Sequence, residues 1–166
     1  MNQVILNIIE NLKNIVSNEM IVFLISLMPI LELRGGLIAA SILKVDFFKA
    51  ILLCTFGNIL PIPFILLFLN SILLWMEKVP CLSKFALFLK KKAMDNKPKI
   101  DKYGFWGLVL FVGIPLPGTG AWTGALVASV FHMDIKKSIF AILLGILLAL
   151  VIMSIISYGV IGNIIK

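Results

Sequence analysis

The sequence predicts an all-α integral membrane protein made of two inverted-topology repeats, each a broken helical unit followed by a transmembrane helix, with amphipathic helices at the membrane interface. Three observations predict it. Of 166 residues, 61% are hydrophobic and 14% charged, against about 45–50% and 25% in soluble chains. The stretches Phe47–Met76 and Ile135–Ile165 both exceed the roughly 20 apolar residues that a crossing needs. Two segments also repeat at an offset of 88 residues, pairing Phe23 with Phe111, Pro29 with Pro117, Gly36 with Gly124, Ser41 with Ser129, Asp46 with Asp134 and Gly57 with Gly145.

The N-terminal stretch lacks a basic cluster, so it does not read as a cleavable signal. Val4, Ile5, Ile8, Ile9, Leu12, Ile15 and Val16 recur at helical spacing. A helix over about residues 2–17 follows, lying in the membrane interface or packed on the bundle.

The first repeat covers about residues 20–76. Its broken unit, Met20–Leu43, contains Pro29-Ile30-Leu31-Glu32-Leu33-Arg34-Gly35-Gly36. Proline removes an amide donor, and paired glycines carry conformational freedom that a helix must lose. In a continuous helix Glu32 and Arg34, two positions apart, would not face each other. Unwinding near Pro29–Gly36 lets both turn inward. The long span that follows carries Asn58, Pro61 and Pro63, which predict a kink and place Asn58 beside the same cavity.

A basic loop occupies residues 77–102. Eight lysines there stand against three acidic residues, a net +5 of the chain's +7. Lysine-rich loops stay cytoplasmic. Leu82, Phe85, Ala86, Leu89 and Ala93 fall on one helical face, predicting an amphipathic helix on the anionic inner leaflet. No other feature supports nucleic-acid binding.

The second repeat, about residues 105–165, has its broken unit at Phe105–Phe131. Pro115-Leu116-Pro117-Gly118-Thr119-Gly120 holds four breakers in six residues. Lipid-exposed backbone of that kind would leave polar groups unpaired, so protein or a water-filled cavity is expected to cover it. If each broken unit enters and leaves on one face, each half crosses once, and the repeats sit in opposite orientations. The whole then forms a single membrane domain over residues 1–166.

Arg34 is the only arginine, and Glu32 the only acidic residue in the apolar part of either broken unit. Ionisable groups in such segments mark function by default. Helix amides restarting after Gly118-Thr119-Gly120, and the matching amides after Gly35-Gly36, favour anions. Thr119 and Thr123 are placed to cap that helix or touch a ligand, and Trp122 to stack on one or to pack. The candidate substrate and proton site is therefore Glu32, Arg34, Gly35, Gly36, Asn58, Pro115, Pro117, Gly118, Thr119, Gly120, Trp122 and Thr123. Cys54, Cys81 and His132 make no metal or disulfide pattern. No cofactor is implied, and no nucleophile–base pair suggests an enzyme.

These motifs, with Tyr103-Gly104 and Ala121-Trp122-Thr123-Gly124, resemble the small multidrug export membrane protein family. That family looks like a distant member of the DedA (VTT-domain) superfamily. The resemblance implies two inverted re-entrant units and a transporter or flippase in a prokaryotic cytoplasmic membrane, multi-pass and proton-coupled. It would move an amphipathic or anionic lipid-linked substrate, with Glu32 and Arg34 as the acid and base. Many DedA members carry a second arginine in the later half, where Trp122 stands here. Two alternatives stay open: efflux of cationic drugs through Glu32, and a non-transporting assembly or scaffold protein. Membrane lipids, protons and a second copy of the chain are the expected partners.

Overall fold

A computed structural model describes residues 2–12, 15–101 and 103–161. Among them every regular element is helical, and the chain divides into two compact units, 1–60 with 146–166, and 61–145.

The first unit begins with α1 (Asn2–Leu12), which packs on the next two helices through buried Ile5 and Ile9. The expected helix over 2–17 is shorter. Ile15 is 75% exposed rather than part of the apolar face, and residues 13 and 14 lie outside the described set. Next comes α2 (Asn18–Leu27), whose N-cap Ser17 accepts from the Met20 amide at 3.3 Å, with Glu19 in the first turn complementing the helix dipole. Met28, preceding Pro29, takes the extended conformation that proline imposes on its neighbour, and the helix stops. The chain turns at Met28–Leu31 and restarts as α3 (Glu32–Ile42). At about 1.5 Å per residue, helices of 10 and 11 residues rise only about 15 Å, half the bilayer core.

α3 ends in a Schellman arrangement: Lys44 sits at φ 54, and the Val45 amide donates to the Ala40 carbonyl at 2.9 Å. α4 (Phe47–Ile59) then starts under Asp46, whose carboxylate accepts from the Phe48 and Lys49 amides. α2, α3 and α4 pack on one another. Glycine makes this close: a Cβ on Gly36 would collide with Ser26 Oγ and lie 2.9 Å from Cys54 Sγ. The unit is completed by the π-helical segment Ile155–Ile161, which packs on α3. There Ser41 Oγ donates to the Ser157 carbonyl at 2.9 Å, and the Tyr158 hydroxyl to the Val45 carbonyl at 3.0 Å.

The second unit contains α5 (Ile62–Glu77), α6 (Pro80–Asp101), α7 (Gly104–Gly113), α8 (Ala121–Val130) and the first half of α9 (Ile135–Ser154). The expected kink in the first long span falls at Leu60–Pro61, between α4 and α5. α5 packs on α8, and α6 packs on α5, α7 and α8. Lys90 pairs with Glu77 at 2.6 Å, tying α6 to the end of α5, and the Lys97 ammonium sits 4.4 Å from the centre of the Phe131 ring.

The amphipathic helix expected in the basic loop is α6, but its inner face differs from the expectation. Ala86, Ala93, Asn96 and Ile100 are buried, while Phe85, Leu87, Phe88 and Met94 are exposed. Small alanines let neighbouring helices approach, so the protein takes them and leaves the aromatics outside. The side chain of Cys81 and the residue Lys102 lie outside what is described.

The offset of 88 reappears in backbone geometry. His132, 88 residues after Lys44, also has positive φ (51), and the Met133 amide donates to the Ala128 carbonyl at 2.9 Å as Val45 does to Ala40. Asp134 caps α9 through the Lys137 amide at 2.8 Å, matching Asp46. A Cβ on Gly145 would meet the Val109 carbonyl oxygen at 2.8 Å, as one on Gly57 would meet that of Phe23 at 2.9 Å.

Candidate functional site

Glu32 is the first residue of α3 and is 4% exposed. Its φ of 50 lies in the left-handed region, where a branched or bulky residue costs about 1–2 kcal/mol. Strain of this kind gathers at ligand sites and switches. Its amide donates to the Met28 carbonyl at 2.9 Å, so the turn is closed behind it. A carboxylate at a helix start is also favoured by the helix dipole. Arg34 is half-buried and lies in the field of the Glu32 carboxylate.

The unwinding is narrower than the sequence suggested. Gly35 and Gly36 are not where the helix restarts; they lie inside α3. A Cβ on Gly35 would come within 2.7 Å of Leu31 Cβ. With the Gly36 contact on Ser26 and Cys54, this makes them packing glycines, not the origin of an anion-binding helix end. Asn58, in the last turn of α4, is 2% exposed, and its Oδ1 has no hydrogen-bond partner among the described residues. A buried amide oxygen left so is costly and points to a polar partner such as water.

In the second unit the break runs from Ile114 to Gly120. Gly118 (φ 80) and Gly120 (φ 134, ψ −177) adopt conformations that favour glycine. Thr119 turns its hydroxyl into the loop. Its hydroxyl lies 3.0 Å from the Ile114 carbonyl and 2.8 Å from that of Leu116, and it accepts from the Leu116 amide at 3.3 Å. The loop thereby satisfies much of its own backbone. Pro115 is half-buried, Pro117 and Gly118 are exposed, Trp122 is half-buried in the first turn of α8, and Thr123 is buried.

At the first break Leu31 and Glu32 are buried and Ile30 is 89% exposed; at the second, Leu116 is 54% exposed. Sequence reasoning also missed Ser26 and Thr55. Both are small polar groups inside apolar runs; Ser26 Oγ donates to the Val22 carbonyl, and Thr55 Oγ1 is buried without a partner among the described residues. Among the described residues, no three His, Cys, Asp or Glu side chains come together in a way that could hold a metal ion.

Two helical stretches, Phe47–Glu77 and Ile135–Gly159, are long and apolar enough to cross a membrane, with 39% and 33% of their most apolar windows buried. Phe48, Leu52, Phe56, Leu60, Phe64 and Phe68, each four residues from the next, are all more than half exposed. Soluble proteins rarely show water so many large apolar side chains on single helices. The chain is thus an all-helical membrane protein with an acid and a base at a helix break. It belongs to the family described as "Putative small multi-drug export protein", whose model matches residues 32–152. No curated protein and no solved structure matches it.

Proposed function

We propose that the protein is a proton-coupled transporter or flippase that moves an amphipathic or anionic lipid-linked substrate across a prokaryotic cytoplasmic membrane. Glu32 carries the proton and Arg34 faces the substrate's anionic group. One observation carries the reading: a buried carboxylate held in a strained backbone conformation where a helix restarts, in the field of the only arginine. The export family to which the chain belongs supports it. In this reading each broken unit enters and leaves on one face, and the repeats have opposite orientations as in inverted-repeat transporters. It agrees with the DedA resemblance, involves no catalysis and uses no cofactor. A homodimer is the assembly proposed.

The test is flux in proteoliposomes under an imposed proton gradient. Glu32→Gln and Arg34→Ala should each abolish movement of an anionic lipid probe; wild-type rates in both would end this mechanism. A second reading, cation efflux, is favoured by the multidrug description of the family. It requires Glu32 alone, so Arg34→Ala would keep ethidium efflux while Glu32→Gln lost it.

A further inference from the structure

The two units differ at one matched place. In the first, the Tyr158 ring stands edge-on to Phe47, centroids 5.1 Å apart, and its hydroxyl donates to the Val45 carbonyl. Nearby, Ser41 Oγ finds the Ser157 carbonyl, whose helix has loosened to a π-helix. Eighty-eight residues away, the counterparts in the second unit are Asn70 for Tyr158, Ile135 for Phe47, Met133 for Val45 and Ser129 for Ser41. No ring projects from position 70. A cavity of about 330 Å³ opens there, lined by Asn70, Ser71, Ser129, His132, Met133 and Ile135 among others. Its volume is within the range of small-molecule sites.

The polar groups agree with the shape. Ser129 is 6% exposed, and its Oγ has no hydrogen-bond partner among the described residues, whereas Ser41 is satisfied. Asn70 and Ser71 interrupt the apolar run of α5 between Ile62 and Met76. His132, at the exposed side, is held at φ 51 by the Schellman end of α8.

We propose that this cavity binds a small phenolic compound, whose ring takes the position that Tyr158 fills in the first unit and whose hydroxyl donates to the Met133 carbonyl. Asn70, Ser71 and Ser129 supply further hydrogen bonds around the ring, and Leu66, Leu67 and Ile135 its apolar walls. Neither Glu32 nor Arg34 lines the cavity, and the assignment stands whatever they move.

The test uses the full chain in lipid nanodiscs, with 4-azidophenol as photolabel and p-cresol, the tyrosine side chain itself, as competitor. Labelling should fall on peptides holding Asn70–Ser71 or His132–Ile135, and p-cresol but not toluene should suppress it. Asn70→Tyr, which returns the missing ring from the protein's own chain, should cut labelling at least tenfold and raise the melting temperature. Labelling elsewhere, equal suppression by toluene, or undiminished labelling of folded Asn70→Tyr would overturn the assignment. Should Asn70→Tyr fail to fold, the label map and the toluene comparison on the wild type decide alone.

Discussion

Gly57 lies so close to Phe23 that a Cβ added to the glycine would come 2.9 Å from the Phe23 carbonyl oxygen and 3.0 Å from Ser26 Cβ. Backbone cannot step aside as a rotamer can, so α4 would have to lift off α2. Gly57→Ala should therefore cost about 1–3 kcal/mol, the usual range for overpacking. Gly145→Ala, meeting the Val109 carbonyl and Val112 Cβ, should cost a similar amount. Thermal unfolding in detergent checks both, and melting temperatures equal to wild type would refute the close approach.

Gly118 offers the contrast. A Cβ there meets nothing within 4 Å, yet φ is 80. Gly118→Ala should cost about 1–2 kcal/mol through backbone strain alone. Gly118→Asn, which tolerates this region better, should recover part of the loss in the same assay.

Thr119 holds the second break together through its hydroxyl. Thr119→Val keeps the shape but removes the hydroxyl's bonds to the Leu116 amide and to the Ile114 and Leu116 carbonyls, a loss of about 1 kcal/mol per hydrogen bond. Faster proteolytic nicking at residues 115–119 is expected for Thr119→Val and not for Thr119→Ser.

Lys44 occupies the left-handed position that closes α3. Lys44→Gly relieves about 1–2 kcal/mol of strain and returns roughly 0.5–1 kcal/mol as extra freedom of the unfolded chain. A small rise in melting temperature should result. A fall would mean that the lysine side chain contributes more than its backbone conformation costs.

Removing Arg34 alone leaves the Glu32 carboxylate buried without its neighbouring charge, whereas removing both charges does not. The double variant Glu32→Gln with Arg34→Ala should accordingly melt above Arg34→Ala alone. Equal melting temperatures would show that the two side chains are energetically independent.

Much of this architecture was legible because the repeat writes the same backbone twice. Pro29 and Pro117 marked both breaks, and Asp46 with Asp134 marked the matching helix starts. Gly35 and Gly36 misled, since a glycine that lets helices touch looks in sequence like one that ends a helix. The inner face of α6 misled for a related reason: periodicity shows which residues share a face, not whether protein or lipid receives it. Leu82 to Ala93 read as one apolar face, while contact with neighbouring helices selected the alanines and left Phe85 outside. Asn70 went unnoticed because comparing halves by their identities draws the eye to matches, and the cavity depends on a mismatch with Tyr158. The π-helical turn at Ile155–Ile161 has no sequence mark that distinguishes it from a continuing α-helix.

The first unit is discontinuous in the chain, with residues 1–60 joined by 146–166, whereas the second is the unbroken stretch 61–145. A growing polypeptide can therefore finish the later-numbered unit first. The earlier one must wait, with Ser41 and the Val45 carbonyl lacking their donors and acceptors, until Ser157 and Tyr158 leave the ribosome. Loss of the segment that holds Ser157 and Tyr158 would thus injure a portion of the molecule that was translated earlier.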